Sequence, residues 1–138
     1  MGAEALCRGA AVAVGIEKAG AACQVVTDNW RKVAKPEQTF RVMKGDVVRQ
    51  LAHLRADKIT EGEQVGQQFD CMYFDPPYAS ELYGPVIDGI VELLAPNAQI
   101  AVEYSPTYWQ PTQLPEALEV VKEKRYGSTH LVFLARQY

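Results

Sequence analysis

An α/β fold, with a mainly parallel sheet and a C-terminal antiparallel hairpin, is what this sequence predicts, and three observations predict it. Short apolar, β-forming runs alternate with stretches of helical periodicity, the pattern of parallel strands joined by helices. The last two β-forming runs, 118–126 and 129–135, flank Gly127-Ser128, a two-residue hairpin signal. At 138 residues, 48% of them hydrophobic and 22% charged, the chain is expected to form one globular domain over 1–138.

The elements follow in order. Residues 4–8 read as the tail of a helix stopped by Gly9. Residues 11–16 are an apolar, Val-rich run ending in Glu17, expected as a buried strand. Residues 21–33 are helical, with Ala22, Val25, Val26, Trp30 and Val33 near one stripe and Pro36 closing the segment. Thr39 to Met43 alternates and is rich in β formers. Gly45-Asp46 opens a helix with Val47, Leu51 and Leu54 on one face. The polar stretch 57–68 reads as a loop, and 69–74 as a strand running into Asp75-Pro76-Pro77-Tyr78. A helix is expected over 82–94, a turn at Pro96-Asn97, a strand over 99–104, and a proline-rich loop over 105–115.

Composition excludes several classes. No apolar run approaches the ~18 residues of a membrane span, and the N-terminus has no basic, apolar signal pattern. Cys7, Cys23 and Cys71 are odd in number and far apart, which argues against a disulfide framework and against a zinc site. They are expected to be buried, reduced thiols in a cytoplasmic protein, with no metal. The net charge of −3 does not suggest a protein that grips long nucleic acid through its phosphates. The basic groups are local: Arg31, Lys32 and Lys35, then Lys122, Lys124 and Arg125.

Three acids fall at or just beyond the carboxyl ends of expected strands, where open α/β sheets bind ligands: Glu17, Asp46 and Asp75. The third opens the most informative stretch, Asp75-Pro76-Pro77-Tyr78. Two prolines hold the backbone extended and offer carbonyls without competing N–H groups. An acid, a rigid carbonyl and an aromatic ring thus converge at a strand end. An exocyclic amine needs two acceptors to orient its protons, which turns the nitrogen lone pair toward an electrophile. Asp75 and the Pro76 carbonyl can be that pair, and Tyr78 can stack on the base, a contact of about 1–3 kcal/mol. Asp-Pro is also common in plain turns, Asp46 suits a helix cap, and Glu17 is also readable as an exposed strand-end acid.

The tetrapeptide resembles the (D/N/S)-P-P-(Y/F/W) motif of amino-methyltransferases that modify adenine N6, cytosine N4 or guanine N2. Residues 1–10, MGAEALCRGA, are similar to the end of the glycine-rich loop and the first helix of the bacterial RsmD family. The spacing to Gly15-Ile16-Glu17-Lys18, Gly45-Asp46 and the Asp75 motif fits that family, as does the closing stretch 124–129. The resemblance implies a Rossmann-like, S-adenosylmethionine-dependent methyltransferase fold. It implies methylation of guanine N2 in small-subunit ribosomal RNA, with that RNA or the assembling subunit as partner. It implies that Glu17 receives the cofactor's ribose hydroxyls and that Asp46, with the Val47 backbone, meets its adenine. Gly2, Lys18 and Asp75 would also border the cofactor, and Asp75, Pro76, Pro77 and Tyr78 would hold the target base.

Against the family pattern the chain starts late. If Gly2 closes a G-x-G-x-x-G loop, the loop's first glycine falls ahead of residue 1, about 20 residues before Glu17. The expectation is a chain truncated at its N-terminus, lacking the first strand, with open strand edges that invite self-association. Three readings stand: the RNA guanine-N2 enzyme, a DNA adenine or cytosine amino-methyltransferase, and a non-catalytic remnant of such an enzyme.

Overall fold

The computed structural model describes residues 2–60, 68–76, 81–112 and 114–137. It divides into two compact units, Met1–Gln50 and Leu51–Tyr138.

The first unit holds α1 (Gly2–Cys7), β1 (Val12–Glu17), α2 (Gly20–Val33), β2 (Thr39–Lys44) and the start of α3 (Val47–Thr60). The two strands run parallel and in register, from Val12 opposite Thr39 to Glu17 opposite Lys44. Trp30 organises the packing: with Leu6 and Ala13 it forms the buried cluster, and its ring meets Phe40 edge-on at 6.2 Å. Val26 and Val33 lie four and three residues from Trp30 and share its side of α2. Val25, expected on the same stripe, is five residues away, faces outward and is 58% exposed. Gly2 permits the approach of α1, since a Cβ there would lie 1.9 Å from the indole. The Gln38 side chain donates to the carbonyls of Leu6 at 2.7 Å and Ala10 at 2.8 Å, tying the end of α1 to the entry of β2. The expected buried strand over 11–16 is only partly so. Ala13 alone is buried in β1, because a two-stranded sheet has little face to cover.

The second unit holds the rest of α3, β3 (Phe69–Phe74), α4 (Tyr83–Ile90), a 3₁₀ turn (Val91–Leu93), β4 (Leu94–Tyr104), β5 (Leu118–Tyr126) and β6 (Thr129–Arg136). Its sheet runs in the order β3-β4-β6-β5. β3 and β4 are parallel, and the hairpin β5–β6 adds antiparallel strands, as expected. Ala98, Ile100, Val102 and Tyr104 alternate inward along β4, and Tyr83, Val86, Ile87 and Ile90 are the buried residues of α4. Arg55 of α3 donates to the Gly89 carbonyl at 2.8 Å, joining α3 to α4. Arg136 of β6 donates to the carbonyls of Val91 and Leu94, closing the 3₁₀ turn.

Four further expectations need correction. α3 runs on to Thr60, through residues read as loop, because no glycine or proline interrupts it before Gly62. The helix expected over 82–94 tightens to 3₁₀ at Val91, and Leu94 already pairs with Phe69. Pro96-Asn97 is then an excursion within β4, with Asn97 at φ 64°, before pairing resumes at Cys71 opposite Gln99. The cysteines are free thiols but not buried ones: Cys7 and Cys71 are exposed and Cys23 is half-buried. Cys71 lies on the more open face of β3 together with Tyr73.

Replacing Trp30 should test how far the first unit depends on it. Trp30→Ala is expected to destabilise that unit by about 3–5 kcal/mol. Denaturant unfolding, with amide exchange in β1 and α2, would read the loss; unchanged exchange there would contradict the assignment.

Candidate active site

In the first unit the two parallel strands end side by side. The Gly45 N–H donates to the Glu17 carbonyl at 3.0 Å, so the residues following β2 are held against the end of β1. Gly45 has φ +147°, a conformation that side chains rarely adopt, and a Cβ there would press on Gln50. That turn aims Asp46 into the start of α3, where its Oδ2 accepts the Arg49 N–H at 3.0 Å. Asp46 is therefore a helix cap as well as a rim acid. Glu17 accepts the Ala19 N–H on Oε1 at 3.2 Å. Among the described residues Oε2 of Glu17 and Oδ1 of Asp46 have no partner, so this rim keeps two free acceptors for hydroxyl or amino donors. Lys18 is exposed in the turn after β1, and Val47 is the half-buried first residue of α3. Gly2 opens α1 against Trp30.

In the second unit Asp75 follows β3 directly, and Pro76 behind it is buried. Pro77 and Tyr78 lie outside the described residues. Phe74 pairs with Val102, so one residue further Asp75 and Glu103 stand next to each other on one face. Asp75 is exposed as a residue. Even so, partial burial of its carboxyl, with the hydrogen bond and the charge of Glu103 beside it, pushes it up from 3.8 to about 6. Beneath this end of the sheet runs a chain of rings. Phe74 meets Tyr83 edge-on at 5.5 Å, Tyr83 stacks on Trp109 at 4.9 Å, and Trp109 meets Tyr104 at 5.1 Å. The Tyr83 hydroxyl donates to the Glu103 carbonyl at 2.8 Å. Burial, with Glu123 adding to it, holds the Tyr104 phenol above its ordinary range.

Each predicted acid thus sits at a strand's carboxyl end. Glu17 and Asp46 share one rim in the first unit; Asp75 is on a rim of the second. The sequence pattern did not single out Glu103. It bears the same signal, an acid at the carboxyl end of an apolar strand. Among the described residues no group of three His, Cys, Asp or Glu could hold a metal ion, and no helix is long and apolar enough to cross a membrane.

The family model described as Conserved hypothetical protein 95 matches residues 1–135. The chain belongs to this family, that of the RsmD-like proteins. Among solved structures it is similar to yhhF of Escherichia coli, assigned as a methyltransferase. Identity there is 25% and the TM-score 0.79, covering 100% of this chain and 71% of that one. It is also similar to HI0767 of Haemophilus influenzae, assigned as a methylase. Here identity is 25% and the TM-score 0.76, covering 98% of this chain and 78% of that one. A third, SMU.776, assigned as a methyltransferase and complexed with SAH, shares the fold at 11% identity and TM-score 0.66. The match covers 96% of this chain and 48% of that one. No curated protein matches the chain. The two structures at 25% identity are those of methyltransferases, and the fold is one shared with S-adenosylmethionine-dependent methyltransferases. The free acceptors of Glu17 and Asp46 fit the hydroxyl and amino donors of that cofactor.

The raised carboxyl of Asp75 has a consequence for stability. The fold favours its neutral form, so the contribution is fully present below about pH 3.8 and is lost as pH rises through about 6. Asp75→Asn keeps the shape and removes the charge. It is expected to raise the melting temperature at about pH 8 and to change it little at about pH 4. Thermal melts at both pH values test this; an equal shift at both would contradict it.

Proposed function

We propose that the protein transfers a methyl group from S-adenosylmethionine to the exocyclic N2 of a guanine in small-subunit ribosomal RNA. The observation that carries the reading is Asp75 at the end of β3, with Pro76 buried behind it, in a member of this family. When bound, the cofactor supplies an electrophilic methyl group on a sulfonium. The rest is done by the chain. Glu17 accepts the ribose hydroxyls, and Asp46 with the Val47 backbone receives the adenine; Gly2 and Lys18 flank them. Asp75 and the Pro76 carbonyl accept hydrogen bonds from the two N–H groups of the target amine and so aim its lone pair. Pro77 and Tyr78 complete the base site, with Tyr78 stacking on the guanine. Positioning of this kind supplies most of the rate in a direct transfer.

The partner in this reading is the ribosomal RNA or the assembling small subunit, met in the cytoplasm. Among the described residues β1 pairs only with β2, and β3 only with β4. Self-association through those open edges belongs to the same proposal.

The expected product is N2-methylguanine. Tritiated methyl should appear as that nucleoside in ribosomal RNA or a partly assembled small subunit; N6-methyladenine in DNA would overturn the substrate assignment. Asp75→Ala should keep less than a tenth of the single-turnover rate, a loss of at least ~1.4 kcal/mol in transition-state stabilisation. Cofactor affinity, measured by calorimetry alongside, should be nearly unchanged. A variant that keeps more than a tenth of the rate would remove Asp75 from the site.

A further inference from the structure

The family motif ends with the four residues from Asp75 to Tyr78, yet the structure gives Asp75 a partner from outside it. Phe74 and Val102 are opposed in the parallel pair β3–β4, so Asp75 and Glu103 occupy the next position on neighbouring strands about 4.8 Å apart. In-register residues of adjacent strands project from the same face. Glu103 is fixed from two other sides. Its backbone is opposed to Leu131 of β6, and its carbonyl accepts the Tyr83 hydroxyl at 2.8 Å. Asp75 is stiff as well, because a residue before proline is confined to extended conformations. Partial burial and then the neighbouring Glu103 carboxyl raise the Asp75 carboxyl, and two carboxyls on adjacent strands can hydrogen-bond to each other only while the pair holds a proton.

Among the described residues neither carboxyl is in an ion pair. On the same row of the sheet Glu103 is followed by Leu131 and then Lys124, whose Nζ lies 5.8 Å over the Phe133 ring. Tyr73 is two residues back along β3, and Tyr83 reaches the Glu103 backbone from α4. His130 packs on Tyr104, a residue of the opposite face of β4. Arg125 and Glu123 of β5 act on Tyr104.

We propose that Glu103 is a positioning residue that shares one proton with Asp75, so that the pair serves as the proton acceptor for the target amine. The functional part rests on the methyltransferase reading above. In the transfer the amine nitrogen forms its bond to the methyl carbon, and the carbon–sulfur bond breaks with its electrons going to sulfur. The nitrogen then carries a positive charge and must lose one N–H proton. That proton passes to Asp75 Oδ, is stabilised there by Glu103, and leaves to water. Glu103 thereby adds to burial in raising the pH at which Asp75 is ready to accept, without itself touching the base.

Two measurements test this, and the first needs no substrate. In wild-type protein carrying ¹³C in its Asp and Glu carboxyls, Asp75 and Glu103 should each report the same two titration steps, the mark of a shared proton. Independent single steps would overturn the proposal, whatever the enzyme methylates. In Glu103→Gln, which keeps the side-chain shape, the Asp75 midpoint should fall from about 6 by about half a unit or more. The acid limb of the single-turnover rate should move down with it. An unmoved midpoint would overturn the proposal. A moved midpoint with no methyl transfer from wild-type protein to any RNA would uphold the proton sharing and overturn the proposed function instead.

Discussion

Parallel pairing delivers whatever follows each strand to a common rim, and the chemistry available to this protein depends on that constraint. An antiparallel pair places the end of one strand beside the start of the next. A parallel pair places two ends together, each followed by a turn free to carry a polar residue. The first unit applies this to β1 and β2, whose ends bring Glu17 and the Gly45-Asp46 turn together through one backbone hydrogen bond. The second applies it to β3 and β4, whose register sets Asp75 beside Glu103. Moving β3 by one residue would turn Asp75 to the other face and leave Glu103 alone.

Register of that precision needs a support, and in the second unit the aromatic chain supplies it. Val102 and Tyr104 are buried on the inward face of β4, and Tyr83 joins that packing from α4. One side of the Tyr83 ring stacks on Trp109; its edge contact is Phe74, the residue before Asp75; and its hydroxyl holds the residue opposite. A single side chain therefore touches both strands of the rim. A buried phenol requires a hydrogen-bond partner, and here satisfying it also fixes the Glu103 backbone.

Most of this was legible in the sequence, for reasons that also mark where legibility stops. The strand over 69–74, the hairpin around Gly127-Ser128 and the three strand-end acids follow from periodicity and turn chemistry, which are local. Three features do not. Helix α3 passes through 57–60 because its end depends on where a breaker falls rather than on polarity. The Pro96-Asn97 excursion lies inside a strand because Leu94 is pulled into pairing with Phe69, a contact between distant residues. Glu103 was missed because its meaning comes from register: alone it is one more acid in an alternating strand. Next to Asp75 it changes the protonation of the motif.

The position of that pair at a rim, rather than in the core, decides what it can do. Two carboxyls deep in a low-dielectric interior would hold their proton far above neutral pH and could accept none. Two carboxyls fully in water would scarcely sense each other, since at a few ångströms their interaction in bulk solvent is only about 1 kcal/mol. Asp75 lies between these limits, open on one side and backed by buried Pro76 on the other, and partial burial with Glu103 beside it pushes its carboxyl up to about 6. That is close enough to neutrality for the ionised form to predominate under ordinary conditions while keeping more affinity for a proton than a free aspartate has. The same compromise costs the fold something at neutral pH, where two negative charges sit on adjacent strands with no cation between them among the described residues. In the proposed site that cost accompanies a carboxyl that accepts a proton more readily than a free aspartate does, which is what a proton acceptor for the target amine would need.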